Sequence, residues 1–282
     1  MKKLPLFTAI LLAAASPLPA ATTWTNGGAD SSWSNPANWS NGVPDSSTAG
    51  GTVIIGTTPT DDLLGIDTGV VPNHIYSLAI TSPGTSLMFV AAGVEQLGVL
   101  TDVTVPSAMT VDFNLPFASV AGAAAALNYA TGAGLNFNAG LTLGAVPITA
   151  TGGGISLADD QPITIELASA TAFGAIQGPA TTDFGNADLQ FHFGFAPAAN
   201  TSLSLDLFGP SSGEFGSVTF VGNTLSGALI ELSPGSWSGT VGGQQWTFSE
   251  SSGVLAVVPE PGCAGLLACG GLIALRRRRS AA

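Results

Sequence analysis

At 282 residues the chain is long enough for one large or two ordinary domains, and with 45% apolar side chains it can bury a sizeable core. Only 9% of its residues are charged and glycine is over-represented (37 residues), which excludes a disordered polyelectrolyte and argues for short strands joined by tight turns. All six Lys and Arg lie at the ends, at Lys2, Lys3 and Arg276 to Arg279, so the 18 Asp and Glu between them have no basic partner other than two histidines, and nucleic acid is excluded as a ligand.

The first twenty residues, followed by Ala21, read "MKKLPLFTAILLAAASPLPAA": a basic start, an apolar stretch from Leu4 to Ala15, and small residues around Ala20. That is the pattern of a secretory signal peptide, too short for a comfortable transmembrane span. Residues 1–20 are therefore expected to be removed on export. The exported part up to Val258 contains no cysteine, so neither a disulfide framework nor thiol chemistry is expected there.

Residues 21–51 form a Trp-rich segment. Trp24, Trp33 and Trp39 sit among Gly, Asn, Ser, Pro and Asp, with Asn-Gly and Asn-Pro turn dipeptides between them. The series Trp24, Gly27, Trp33, Asn38, Trp39, Gly42, Pro44 resembles the opening segment of exported bacterial proteins with autotransporter-associated β-strand repeats. The resemblance implies that the segment opens a β-solenoid. The three indoles then either cap the open end of the core or form an exposed platform for sugar rings.

Residues 52–258 alternate apolar and polar side chains in short runs. "MTVDFNL" places Met109, Val111, Phe113 and Leu115 on one side, and "PITIEL" does the same with Ile163, Ile165 and Leu167. "LQFHFGF" sets Leu189, Phe191, Phe193 and Phe195 against Gln190, His192 and Gly194. Such runs predict strands with one buried side. Strand starts at Met109, Leu135, Ile163 and Leu189 recur at solenoid-like intervals. The expected fold is all-β, with a β-solenoid (parallel β-helix) first part. Stricter alternation and longer aromatic strands beyond a division near 150–160 suit an antiparallel, sandwich-like second part. One alanine-rich stretch, Ser119 to Ala130, is the only candidate for a short helix in this region.

Chemistry-bearing residues are few. His74 is assigned to a turn and His192 to the polar side of a strand; neither is expected to serve a triad. No nucleophile elbow, H-E-x-x-H or cysteine-based metal set is recognised. The carboxylates Asp112, Glu166 and Asp188 could act on a glycan only by converging in one cleft. The pairs Asp61-Asp62 and Asp159-Asp160 read as solvated turns without calcium-loop spacing. No cofactor is expected, and the chain is expected not to be an enzyme.

Residues 259–282 close the chain as "PEPGCAGLLACGGLIALRRRRSAA". The apolar run from Gly262 to Leu275, including Leu266, Leu267, Leu272 and Ile273, falls short of the ~20 residues a spanning helix needs. The arginines directly after it, Arg276, Arg277, Arg278 and Arg279, would stay cytoplasmic and leave the body outside. Physical reasoning alone thus expects a short apolar helix acting as a marginal stop-transfer element. Pro259, Glu260 and Pro261, the apolar run and the Arg cluster together closely resemble the PEP-CTERM sorting signal of Gram-negative bacteria. The resemblance implies recognition by a membrane-embedded cysteine transpeptidase, the exosortase, and release or attachment of the body at the cell surface. It further implies a setting rich in extracellular polysaccharide. The expected protein is an exported surface or matrix component held transiently in the inner membrane, the alternative being a glycan-binding or glycan-degrading module.

Overall fold

The computed structural model describes residues 21–258, apart from 45–51, 58, 60–61, 67–73, 82–83, 92–95, 120–125, 130–131, 198–203 and 223. The sorting motif Pro259–Pro261, the apolar run and the Arg cluster lie outside the described residues, as does the predicted signal peptide.

Apolar side chains at every second position need a common interior, and the chain supplies one by coiling. It winds into a parallel β-solenoid with three faces, because successive short strands are separated by turns and each strand pairs with its counterpart one coil away. A 13-stranded and a 7-stranded sheet carry these pairings. The larger sheet bends into two faces: the first half of Leu97–Val105 pairs with Phe117–Ser119, while the second half pairs with Ala126–Tyr129.

Register columns show how alternation becomes a core. On the first face Phe117, Leu141, Ile163, Leu189 and Val218 stack in successive coils. On the second, Val53, Leu78 and Val103 do so. On the third, Leu87, Val111, Leu135 and Ile155 follow one another. Beside this last column Phe89, Phe113 and Phe137 lie ring over ring, with centroids 5.2 Å apart at both steps, and Phe117 tilts onto Phe113 at 4.8 Å from the first face. Outward positions form polar ladders, as where Asn136 Nδ2 donates to Asp112 Oδ1 (2.7 Å) and Asn138 Nδ2 to Asn114 Oδ1 (2.8 Å).

The all-β, solenoid expectation therefore holds, and an antiparallel second part exists, but it begins later than the alternation suggested. Pro162–Leu167 and Asp188–Phe193 pair in parallel along their whole length, and the solenoid continues to Ser217–Val221. Alternation reports only that one side of a strand is dry, and a solenoid face meets that condition as well as a sandwich does. The spacing signal was half right for a related reason. Ile163 and Leu189 are register neighbours, but Leu135 belongs to the third face and Ile163 to the first.

The antiparallel part is a 5-stranded sheet in the order Ser204–Asp206, Val254–Val258, Gln244–Ser249, Ser236–Val241, Ile230–Ser233. Its inner side closes the last coil: Trp246 packs edge-on against Phe193 (5.2 Å) and lies against Phe220 (5.0 Å), and Phe248 meets Phe191 (5.7 Å).

The helical expectation for Ser119 to Ala130 is corrected. Ser119 ends the strand Phe117–Ser119 and Ala126–Tyr129 is itself a strand, since the alanine preference for helix is outweighed by backbone pairing to the coils on either side. His74 likewise starts the strand His74–Ile80 instead of lying in a turn.

Candidate functional site

Among the described residues a densely bonded polar cluster lies at the N-terminal end, around Asn38. Asn35 caps a single 3-10 turn, Pro36–Asn38: its side chain accepts from the Ala37 N–H (3.0 Å), and Pro36 fills the first position, where no N–H is needed. That turn drives Asn38 inward until it is fully buried. Its amide nitrogen donates to Asp30 Oδ1 (2.6 Å) and to the Ser32 carbonyl (2.9 Å), while its oxygen accepts from the Gly28 N–H (2.8 Å). Asn35 Nδ2 donates to the other Asp30 oxygen (2.8 Å). Hydrogen bonds from Asn35, Asn38 and the Ser32 N–H hold the Asp30 carboxyl below its usual range. A Cβ at position 28 would collide with the Asn35 and Asn38 amides, so any larger residue there must displace the knot's own side chains.

The three tryptophans pack on this knot. Trp24, Trp33 and Trp39 are 0%, 1% and 5% exposed. Trp39 stands edge-on to Trp24 (5.1 Å) and to Trp33 (4.7 Å), and its indole N–H donates to the Trp33 carbonyl (2.7 Å). A sugar platform needs an indole face in solvent, and here the faces are turned onto the first coil. Thr22–Trp24 pairs with Thr52–Ile55, which places the rings over the end of the core.

The carboxylates do not converge. Asp112 lies on the third face, bonded to Asn136; Glu166 and Asp188 lie on the first. Asp188 is opposite Pro162 and Glu166 opposite His192 in the same strand pair, four residues apart, which is about 13 Å at the rise of a β-strand. A glycosidase pair works across at most ~9.5 Å. Asp188 instead accepts from Ser217 Oγ (2.5 Å). Asp62 and Asp160 both adopt positive φ (55° and 54°), a turn conformation that Asp tolerates. Asp61 lies outside the described residues. Among the described residues no cluster of three His, Cys, Asp or Glu is arranged to hold a metal.

The one ion pair among the described residues joins His192 Nδ1 to Glu166 Oε2 at 2.8 Å, with both side chains more than a third exposed. It contributes little to stability at such exposure. Sequence reading placed both residues on polar strand sides but did not pair them; pairing needs the register Glu166↔His192. It also passed over Gly209-Pro210-Ser211-Ser212-Gly213, which has G-x-S-x-G spacing. That segment forms the short strand Ser211–Ser212 on the rim of the third face, in parallel register with Thr182 and Asp183. The strand-to-helix elbow that would expose a nucleophile is not formed there.

A residue no sequence signal marked is Glu250, in the turn before the last strand and only 4% exposed. Its Oε1 accepts from Trp237 Nε1 (2.7 Å) and from the Phe215 N–H (3.1 Å), tying the terminal sheet to the last solenoid turn. Burial pushes its carboxyl above the usual value of 4.5, reinforced by Glu214 and Glu231 nearby and opposed by the two hydrogen bonds. A carboxyl raised on folding binds its proton more tightly in the native state, so its stabilising contribution is complete below pH 4.5 and is lost as pH rises through the native pKa. Glu250→Gln keeps an oxygen acceptor without the charge. Thermal unfolding followed by circular dichroism across that window should show a smaller decline with pH in the variant than in the parent. Parallel curves would show that Glu250 is not the group responsible.

No family model matches the chain, and neither curated proteins nor solved structures provide a match. Among the described residues no helix is long and apolar enough to cross a membrane.

Proposed function

We propose that the protein is an exported, exosortase-processed structural or adhesive component of the cell surface or extracellular matrix, without catalytic activity. The observation that carries this reading is the closed solenoid: a continuous parallel core with a tryptophan and Asn38 knot at one end and an antiparallel sheet at the other. Such a rod presents rigid, hydrogen-bonded outer faces at fixed coil spacing, which suits a spacer or scaffold. The final strand runs to Val258 and Pro259-Glu260-Pro261 comes next in the sequence, which supports a sorting signal read close to the folded body.

Processing is tested by expressing the chain in a host with and without the transpeptidase and measuring the mass of the mature protein. The expected product lacks residues 1–20 and Arg276 to Arg279 when the enzyme is present. Retention of the four arginines in its presence would remove the sorting reading. The second reading, a glycan-binding module, draws on the outward Asp112–Asn136 and Asn114–Asn138 ladders, and not on the tryptophans. Extracellular polysaccharide is the partner either reading would meet.

A further inference from the structure

The large apolar side chains that stand exposed among the described residues are Ile230 (69%), Leu232 (73%) and Val258 (40%), and all three belong to the terminal antiparallel sheet. Ile230 pairs with Ser238, Ser238 with Thr247, and Thr247 with Ala256, so these four point to the same side, away from the buried Trp246 and Phe248. Leu232 lines a shallow groove on that side together with Ser238, Thr247 and Ala256. Val258 pairs with Gln245 on this side too. The outer side is thus apolar, hydroxyl-bearing or, at Gln245, amide-bearing. One carboxylate, Asp206, lies opposite Val254, at the end of the sheet away from Val258.

The chain leaves the body at the margin of this patch. The apolar run starts at Gly262, four residues past Val258, a reach of at most about 14 Å. As a helix its 14 residues would measure about 21 Å, against a hydrocarbon core of about 30 Å. A span that short draws its flanking residues toward the bilayer.

We propose that the outer side of the terminal sheet, led by Ile230, Leu232 and Val258, is a bilayer-contact surface on which the precursor rests while its tail is in the membrane. This rests on the tethered-precursor reading above. The headgroup–acyl boundary accepts a few apolar side chains flanked by uncharged hydroxyls. A second copy is a poorer occupant, because every formal charge between Leu4 and Leu275 is negative and two bodies repel.

The test uses the full chain, with Cys263→Ser and Cys269→Ser so that an introduced cysteine is the sole thiol. A fluorophore is attached at Leu232→Cys, at Ile230→Cys, or at the control position Ser212→Cys on the third face, all exposed or edge sites that do not support the core. Each chain is placed singly in phosphatidylcholine nanodiscs with a nitroxide on the lipid acyl chain. Emission at 230 and 232 should fall by roughly half or more, as for a side chain at the headgroup–acyl boundary, with position 212 unchanged. Unquenched emission at 230 and 232 in discs that hold the chain overturns the proposal while leaving the tether intact. Shielding from aqueous iodide without lipid quenching assigns the patch to the chain's own tail and also overturns it. Shielding that needs more than one chain per disc assigns it to a second copy, with the same consequence. A chain that does not enter the discs overturns the tether and this placement together, whereas failure of exosortase processing alone leaves the lipid contact standing.

Discussion

Phe113→Ala should lower the unfolding free energy of the protein by about 4 kcal/mol, the middle of the range for truncating a buried aromatic ring. Phe113 is fully buried, and its ring touches three others: Phe89 below, Phe137 above and Phe117 from the adjoining face. Removing it takes away its own transfer free energy and leaves a cavity between rings held at fixed coil spacing by backbone pairing. The neighbours cannot close that gap without breaking register. Against a typical stability of about 5–15 kcal/mol the loss is large. Equilibrium urea unfolding of the full chain measures it, with Phe113→Leu as the control expected to cost much less because most of the volume is kept. A loss for the alanine variant of no more than ~1 kcal/mol would mean that the aromatic stack is not a principal support of the coils.

Asn38→Ala is expected to cost about 3 kcal/mol, for a different reason. The side chain is small, but it satisfies the Gly28 N–H, the Ser32 carbonyl and one oxygen of Asp30 at once. Truncation leaves the half-buried Gly28 N–H and Ser32 carbonyl beside an alanine methyl, and an unsatisfied polar group shielded from water costs ~1–3 kcal/mol. Asn38→Asp is more informative, since it keeps the shape and replaces the donor that faces Asp30 with a second carboxylate. Like charges at that distance favour a proton on the pair, so this variant should recover stability as pH is lowered, whereas the alanine variant should not. Hydrogen exchange resolved by peptide would locate the damage: protection should fall first in Thr22–Trp24 and Thr52–Ile55, the strands beneath the knot. Unchanged protection there would separate the knot from the stability of the first coil.

Much of this architecture was legible in the residues. Alternation in "MTVDFNL", "PITIEL" and "LQFHFGF" marks strands with one dry side, and each of those segments contains a strand buried at the predicted positions, except that Phe195 lies past the end of Asp188–Phe193 and is only partly buried. The Trp-rich segment with its Asn-Pro turn pointed to the start of the solenoid. What misled was equally local. The alanines of Ser119 to Ala130 favour helix in isolation, and the stricter alternation after residue 160 fits two different sheets. Period resolves neither: a run of alanines carries no apolar–polar pattern to read, and parallel and antiparallel strands share the same two-residue repeat.

The candidate sites divide in the same way. Asp112, Glu166, Asp188 and His192 are recognisable as polar positions of strands, but whether they meet depends on which coil each occupies. Asp112 faces away from the others, and Glu166 finds His192 through a register one coil distant. Glu250 carries no sequence mark at all, since a lone Glu in "SESSG" reads as a solvated turn until the sheet folds over the last coil.

By itself the sequence determined the class of the body, its lack of basic side chains between the two ends, and the composition of its tail, because these follow from residue type and local period. The tertiary structure alone decided where the solenoid stops, that the tryptophans turn inward over its first coil, and that the glycan-directed carboxylates stand apart. Those depend on strand register, which pairs residues more than twenty positions apart and leaves no trace in any short window of sequence.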